Sequence, residues 1–211
     1  MNSGSKELPG SLGEHVLQER YGVEKKAQAF YTNQVLRSLN DEMKEFIGKQ
    51  TMVFIATADA QGECDASFRA GNPGFVQVIS EHLLLYPEYR GNRVMASLGN
   101  MYENPHVGLF FVDFFDSTIG LHVNGLAHIV ETADLSSRED VPERILNNLA
   151  RKDEPDIERA VLVEVEEAYI HCSKHIPRLE RLDKTIEWGT DSEARKGGDY
   201  FNVAGSRSRA V

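Results

Sequence analysis

The chain has 211 residues, a length typical of one domain with short appendages, and its 41% hydrophobic residues suffice for a packed core. Its 33 acidic and 23 basic residues give a net charge of -10, which disfavours binding to nucleic acid or to an anionic membrane surface. No apolar run reaches the ~18 residues of a membrane-spanning helix, and two distant cysteines favour neither a disulfide framework nor a multi-cysteine metal site, so we expect a cytoplasmic protein.

The first part of the chain is predicted to be a polar tail followed by helices. Residues 1–10 are rich in Ser, Gly and Lys, which is typical of a disordered tail. From residue 11 to 48 apolar residues, Val35 and Leu36 among them, recur at the three- and four-residue steps of a helix. Asn40 is expected to cap the last helix, which Gly48 ends. We assign residues 1–40 to this tail and helical extension.

The middle of the chain is rich in β-branched and aromatic runs, which predict seven strands. These runs are 51–58, 64–69, 75–79, 82–86, 107–115, 119–130 and 160–171. Helices are expected only at 92–103 and at 135–149, where Pro142 divides the second one. Such a pattern favours a mainly β (α+β) fold, an antiparallel barrel with flanking helices, over residues 41–177. Residues 178–211 are expected to form a polar tail that packs on the barrel or is partly flexible.

The densest polar cluster is Tyr89-Arg90-Gly91-Asn92-Arg93, which follows an apolar strand and is expected to open a helix at Asn92. A helix start exposes unpaired N–H groups and the positive end of the helix dipole, so two arginines beside it suit a phosphate group. The alternative is a solvated, charged loop in which Asn92 is only a helix cap.

Arg69 is a second candidate ligand for an anion, because it ends a predicted strand just before the turn-forming GNPG. The two-residue period of a strand places Ser67 on the same face as Arg69. If the first strands are neighbours, Arg69 can converge with Arg90 and Arg93 on one ligand. The alternative is an edge-strand arginine that faces water.

Histidines and an asparagine mark a third region. His122 and Asn124 share one face of the strand LHVNGLAHIV, where Asn124 can either hydrogen-bond a polar heterocycle or belong to a polar outer face. The run His171-Cys172-Ser173-Lys174-His175 contains metal-ligand residue types, but neighbours in a strand face opposite sides. We therefore expect no metal site there, and expect Lys174 and His175 to line a ligand pocket.

Three linked blocks resemble a known family. They are FIATADAQGECDASFRAGNPGFVQV, LLLYPEYRGNRVMASLGNMYENPHVGLFFVDF and LHVNGLAHIV, in that order. Over roughly residues 40–177 the chain thereby resembles the pyridoxamine 5'-phosphate oxidase-like flavoproteins. The resemblance implies an FMN-binding split barrel that forms a homodimer, with FMN bound at the subunit interface.

The resemblance also implies roles for particular residues. It implies that Arg69, Arg90, Asn92 and Arg93 hold the FMN phosphate, with Ser67 beside the phosphate or the ribityl chain. The matching blocks also bring Ser97, Asn100 and Asn124 toward the cofactor, and His171, Lys174 and His175 match the C-terminal block of the family. From the residues themselves, we expect His122, Lys174 and His175 to line a substrate pocket.

The resemblance does not extend to the substrate of the vitamin B6 oxidases. Those enzymes carry an R-x-V-L-L-K block where this chain has RAGNPGF, and Arg178, Arg181 and Trp188 do not reproduce their Arg-rich C-terminal segment. We therefore expect an FMN-dependent oxidoreductase that acts on another small organic substrate, with NADH or NADPH as a candidate electron donor. The alternatives are a flavin-binding sensor without turnover and a deazaflavin- or haem-binding relative.

Overall fold

The computed structural model describes residues 9–150, 157–187 and 189–207. Parts of both predicted tails, namely residues 1–8, Trp188 and residues 208–211, lie outside the described residues. Every side chain that the sequence singles out as a cofactor or substrate ligand lies within the described residues.

Three helices precede the main strands: α1 (Leu12–Tyr21), α2 (Glu24–Gln34) and α3 (Asp41–Lys49). The predicted cap of α3 is confirmed, because the side-chain oxygen of Asn40 accepts a hydrogen bond of 2.8 Å from the backbone N–H of Met43. Gly48 does not end this helix, which continues to Lys49.

A short strand replaces the helical continuation expected at Val35 and Leu36. Strand β1 (Val35–Leu36) pairs antiparallel with a later strand of the sheet, opposite Tyr169 and Ala168. The helical prediction is wrong at these two residues because that strand offers backbone hydrogen-bond partners far away in the sequence. Local spacing of apolar residues carries no information about such partners.

Seven further strands among the described residues correspond one by one to the predicted runs. They are β2 (Met52–Ala58), β3 (Cys64–Ala70), β4 (Gln77–Val78), β5 (Leu83–Tyr89), β6 (His106–Val112), β7 (Gly120–Glu131) and β8 (Ile157–His171). The remaining helical elements are α4 (Ala96–Glu103), a 3₁₀ turn (Thr132–Ser137), α5 (Glu143–Leu149), a second 3₁₀ turn (Ser173–His175), α6 (Glu193–Lys196) and α7 (Val203–Arg207).

All the strands belong to one antiparallel sheet. The strand order is β3-β2-β6-β7-β8-β5-β4, and β1 pairs with β8 beside this path. The predicted α+β fold of the split-barrel type, an antiparallel sheet with flanking helices, is therefore confirmed. Strand β3 lies at one end of the order, so one of its edges has no neighbouring strand in the described part of the chain.

Alternate residues of the long strand β8 contribute to two hydrophobic cores. Val161 and Val163 belong to the main core between the sheet, α3 and α4. Leu162 belongs to a smaller core under α5, in which Ile145 is fully buried. This alternation follows from the two-residue period of a strand. It fixes β8, and with it β5 and β7, between two packed layers.

The glycine at position 125 marks a bulge in the longest strand pair. The register between β7 and β8 shifts between Asn124 and Gly125. A Cβ atom on Gly125 would come within 1.9 Å of the backbone oxygen of Glu164, so a larger residue requires the two strands to move apart.

Two other features concern membrane-spanning helices and disulfide bonds. No helix within the described ranges is long and apolar enough to cross a membrane. Cys64 and Cys172 are both exposed free thiols.

We predict that Gly125→Ala lowers the free energy of unfolding by about 1–3 kcal/mol, the usual cost of forcing an extra methyl group into a packed site. Gly48→Ala is the matched control, because a Cβ there meets no atom within 4 Å. Gly48 is the penultimate residue of α3, so that change should raise the free energy of unfolding by at most about 0.5–1 kcal/mol. Urea unfolding measures both values. If Gly125→Ala is as stable as the parent protein, the close approach of β7 to β8 is wrong.

Candidate active site

A cleft opens where the inner face of the sheet reaches its edge strand. Side chains at positions 65, 67 and 69 of β3 point to the side of the sheet on which Val53 and Ile55 of β2 are buried. On β3 these positions carry Asp65, Ser67 and Arg69 rather than apolar residues. The result is a polar cleft of about 690 Å³ between β3, the end of β5 and the segment that leads into α4. We call it the arginine cleft.

Arg69 forms the floor of the arginine cleft. Its Nε donates to Oε1 of Glu88 at 2.9 Å, its Nη2 to Oγ of Ser97 at 2.8 Å, and its Nη1 to the backbone oxygen of Phe68 at 3.1 Å. The first two contacts connect β3 with β5 and α4, and the third lies within β3. The guanidinium is therefore held in one orientation before any ligand arrives.

Glu88 is the buried partner of this arginine. Its side chain is 9% exposed, and burial raises the pKa of its carboxyl group, while the charge and hydrogen bond of Arg69 act in the opposite direction. Removing Arg69 alone would leave a carboxyl group buried without its cation, which is strongly unfavourable. The pair is therefore a structural unit of the cleft.

Ser67 carries the one buried side-chain nitrogen or oxygen atom without a hydrogen-bond partner in the described part of the chain. Its Oγ is buried and has no partner there. It lies two residues before Arg69 on the same face of β3 and lines the same cleft. Buried hydroxyl groups are almost always hydrogen-bonded in folded proteins, so this atom is suited to accept or donate a bond to a ligand.

The segment after β5 differs from the prediction. Helix α4 begins at Ala96, so Asn92 does not open a helix, and the helix start that lines the cleft lies four residues later than expected. The oxygen of Asn92 instead accepts a hydrogen bond of 3.0 Å from the N–H of Val94, a local turn that competes with helix formation. Arg93 and Met95 adopt left-handed backbone conformations, with φ of 64° and 58°, which excludes a regular helix.

Arg90 and Arg93 still line the cleft, but each has a carboxylate beside it. Arg90 forms an ion pair with Asp191 from the C-terminal segment, and Arg93 lies 3.8 Å from Glu158. Hydrogen bonding to Arg90 lowers the pKa of Asp191. Among the described residues, the charged side chains that line the cleft are five basic and three acidic ones, Arg69, Arg90, Arg93, Arg159, Lys184, Asp65, Glu88 and Glu158. The cleft is therefore locally cationic in an acidic protein.

Two predicted ligands of the cofactor lie elsewhere. Asn100 donates to Oγ1 of the buried Thr57 at 3.1 Å and is not part of the cleft lining. Asn124 donates to Oε1 of Glu167 at 2.7 Å and lines a second, more open depression of about 550 Å³. This depression lies beside the small residues Ala56 and Gly108, which oppose one another across β2 and β6.

Asn124 and its neighbours belong to what we call the outer sheet face, the side of β3, β2, β6, β7 and β8 opposite to the main core. Directly paired aromatic residues cross it in one row, Phe68, Phe54, Phe110, His122 and Tyr169. The ring of His122 stacks between those of Phe110 and Tyr169, at centroid distances of 4.5 and 4.7 Å. The rings thus form a continuous layer on this face.

His122 has a second histidine beside it. Its Nε2 lies 3.0 Å from Nδ1 of His171. Burial, and to a lesser degree the neighbouring His171, lowers the pKa of His122, so it is neutral at physiological pH. Lys174 and His175 lie in the exposed 3₁₀ turn that follows, and neither contributes to the cleft lining within the described residues.

The structure thus brings together six of the eight predicted cofactor ligands, Ser67, Arg69, Arg90, Asn92, Arg93 and Ser97, in one cleft. Sequence reasoning missed Glu88 and Asp191. A glutamate inside the apolar run LLLYPEY is a detectable signal, since charged residues are rarely buried without a partner. Asp191 lies 101 residues from Arg90, and no local pattern marks it.

We predict that Ser67→Ala stabilises the cofactor-free protein by ~1 kcal/mol, because it removes a buried hydroxyl group whose desolvation is not compensated. Ser97→Ala is the matched control. It should lower the free energy of unfolding, because the Arg69 guanidinium loses its acceptor at 2.8 Å. Chemical unfolding of both cofactor-free variants tests this, and a destabilised Ser67→Ala would mean that this hydroxyl group has a partner in the free protein.

Solved structures similar to this chain include three proteins of 15–20% sequence identity. No curated protein matches the chain. Among solved structures, HupZ from Group A Streptococcus is 20% identical and aligns over 63% of this chain and 93% of its own, with a TM-score of 0.47. HutZ, the haem storage protein from Vibrio cholerae, is 19% identical over 63% of this chain and 94% of its own, with a TM-score of 0.37.

A third similar structure is a protein from Clostridium acetobutylicum that is related to general stress protein 26 of B. subtilis, of the pyridoxinephosphate oxidase family. It is 15% identical over 65% of this chain and 89% of its own, with a TM-score of 0.40. At such low identities and TM-scores, these similarities carry no argument about ligand or activity. The sequence profile described as pyridoxamine 5'-phosphate oxidase matches residues 39–172. Because this match spans more than half of the chain and contains strands β2 to β8, the chain belongs to the pyridoxamine 5'-phosphate oxidase family.

Proposed function

We propose that this protein binds FMN through its phosphate in the arginine cleft and acts as an FMN-dependent oxidoreductase. The observation that carries the proposal is the unpartnered, buried Oγ of Ser67 beside the fixed guanidinium of Arg69. A phosphate group supplies the partner that Ser67 lacks, and its other oxygens can accept hydrogen bonds from the guanidinium of Arg69 at the same time.

The charge of the cleft fits the same ligand. The charge of Arg69 is neutralised by Glu88 at 2.9 Å. Arg69 would therefore orient the phosphate group through hydrogen bonds and add little long-range attraction. Arg90, Arg93 and Lys184 are exposed or only partly covered and supply long-range attraction. A phosphate monoester carries a charge of about -1.5 to -2 at neutral pH, which suits this excess of cations.

The proposal includes a homodimer, because the predicted ligands lie on two sides of the sheet. Asn124 and His122 lie on the outer sheet face, whereas Ser67 and Arg69 lie on the inner face of β3. In one protomer these groups cannot meet. Two protomers that cover each other's outer sheet faces could form sites with a cleft from one and an outer face from the other, in keeping with the interface cofactor that the family resemblance implies.

A bound flavin would supply the redox chemistry by accepting and passing on a hydride or electrons. The residues of the chain would hold the phosphate, exclude water and shape the pocket. His122, neutral and stacked between two aromatic rings, is the residue we propose to accept a proton near the substrate. We expect a small organic substrate, a nicotinamide nucleotide as a candidate electron donor and a cytoplasmic location.

Of the alternative ligands named from the sequence, haem would contact the arginine cleft differently from FMN. Haem lacks a phosphate group, so only its propionate carboxylates could take the place of the phosphate at Ser67 and Arg69. The absorption spectrum of the purified protein separates the cases, because haem gives an intense Soret band that flavins lack. Steady-state reduction of the bound flavin by NADH or NADPH separates an enzyme from a sensor.

We predict that Arg69, at the floor of the arginine cleft, determines the affinity for FMN. Arg69→Ala alone would leave the buried Glu88 carboxylate without its cation. The test therefore compares Glu88→Gln with the double variant Arg69→Gln/Glu88→Gln, in which neither residue of the pair carries a charge. One charge-assisted contact is worth ~1.5–3 kcal/mol, so the double variant should bind FMN roughly ten- to a hundredfold more weakly than Glu88→Gln. Titrations followed by quenching of flavin fluorescence measure this.

Two controls accompany that comparison. Riboflavin, which lacks the phosphate, should bind both variants equally. Arg138→Gln removes an exposed arginine that pairs with Asp140 and does not line the cleft, so it should leave FMN affinity unchanged. Equal FMN affinity of the single and double variants would show that Arg69 does not hold the phosphate.

We predict that the outer sheet face mediates dimerisation. Phe68 is 51% exposed and Phe54 is 39% exposed, and their rings lie 5.4 Å apart, an apolar surface of the kind that protein interfaces cover. Light scattering should give about twice 23.7 kDa for the parent protein and a monomer for Phe68→Asp. Tyr102→Asp on α4, at an 88% exposed aromatic residue, is the matched control and should remain dimeric. A parent protein that is monomeric and still binds FMN would refute the interface.

A further inference from the structure

The C-terminal segment runs from the turn after β6 to the mouth of the arginine cleft. We call residues 178–191, apart from 188, the strap. Its beginning is held by backbone contacts: the N–H of Leu179 donates to the oxygen of Phe114 at 2.7 Å, and Nε of Arg178 to the oxygen of Phe115 at 3.1 Å. The guanidinium of Arg181 lies 4.3 Å from the centre of the Phe115 ring. The beginning of the strap is therefore anchored.

The end of the strap contributes to the cleft itself. Lys184 and Ile186 line the cleft, and the carboxylate of Asp191 forms an ion pair with the guanidinium of Arg90. Gly189 passes beside the same arginine, since a Cβ atom on it would lie 3.8 Å from the Cβ of Arg90. A carboxylate of the protein thus pairs with one of the cations that the proposed phosphate ligand needs.

The end of the strap is weakly held. The Asp191 side chain is 77% exposed and that of Arg90 36%, and ion pairs this exposed contribute little to stability. Along the strap Leu182 is 85% exposed and Ile186 55%, so little apolar surface is buried. Segments with few buried contacts open at low cost in free energy.

We propose that the strap is a built-in competitor for the cleft: Asp191 pairs with Arg90 in the free protein, and an incoming phosphate group takes its place. This inference rests on the proposed function for the identity of the phosphate-bearing ligand. Asp191 occupies Nη2 of Arg90 and its charge repels an incoming phosphate group, so each anion weakens the binding of the other. Phosphate binding therefore releases the end of the strap, and the strap in turn weakens phosphate binding.

The test measures the affinity of the full-length protein for inorganic phosphate, and then for FMN, by isothermal titration calorimetry at low ionic strength. Asp191→Asn removes the competing charge and keeps a hydrogen-bond acceptor. It should raise both affinities about two- to fivefold, the range that an exposed ion pair allows. Riboflavin affinity should not change.

A matched control separates competition from net charge. Glu187→Gln makes the same change of charge four residues earlier, where the carboxylate pairs with Arg195 at 3.2 Å. It should leave phosphate affinity unchanged. If Glu187→Gln and Asp191→Asn raise the affinity equally, only the overall charge matters and the proposal is wrong.

A double-mutant cycle isolates the contact with Arg90. In an Arg90→Gln background, Asp191→Asn should have no further effect on phosphate affinity. An unchanged gain in that background, or a loss of affinity in Asp191→Asn alone, would overturn the strap's role. The inorganic phosphate titrations decide this even if the protein fails to bind FMN, an outcome that would instead refute the proposed function.

Discussion

The hydrogen bonds of one guanidinium hold the arginine cleft together. Arg69 contacts Glu88 on β5 at 2.9 Å and Ser97 on α4 at 2.8 Å, while it belongs to β3 itself. These elements do not lie beside one another in the sheet, since β3 and β5 are separated by β2, β6, β7 and β8. The side chain thereby bridges the gap between the edge strand and the helix. Without it the floor of the cleft would have no fixed geometry.

Because Glu88 neutralises Arg69, other residues must attract an anion to this acidic protein. A buried carboxylate fixes the orientation of Arg69 but cancels its charge, so attraction must come from the more exposed cations at the rim. The two tasks, orientation at the floor and attraction at the rim, are therefore carried by different residues. The exposed rim is also where a competing carboxylate such as Asp191 can act, because its ion pair with Arg90 is weak and open to exchange.

Much of the fold follows from local patterns, whereas the site follows only in part. Two-residue periodicity placed Ser67 and Arg69 on one face of β3, and the structure agrees. The helix start expected at Asn92 failed because the side chain of Asn92 makes a local turn instead. The contact of Arg69 with Glu88 spans 19 residues, and that of Arg90 with Asp191 spans 101. Contacts between distant parts of the chain depend on the tertiary fold, which periodicity alone does not specify.

The central claim is that the buried hydroxyl group of Ser67 and the guanidinium of Arg69 receive the phosphate of the cofactor. A crystal structure of the protein with FMN tests this most directly. We expect a phosphate oxygen within hydrogen-bond distance of Ser67 Oγ and of the Arg69 guanidinium, with Asp191 moved away from Arg90. An FMN phosphate bound outside the arginine cleft, with Ser67 still lacking a partner, would contradict it.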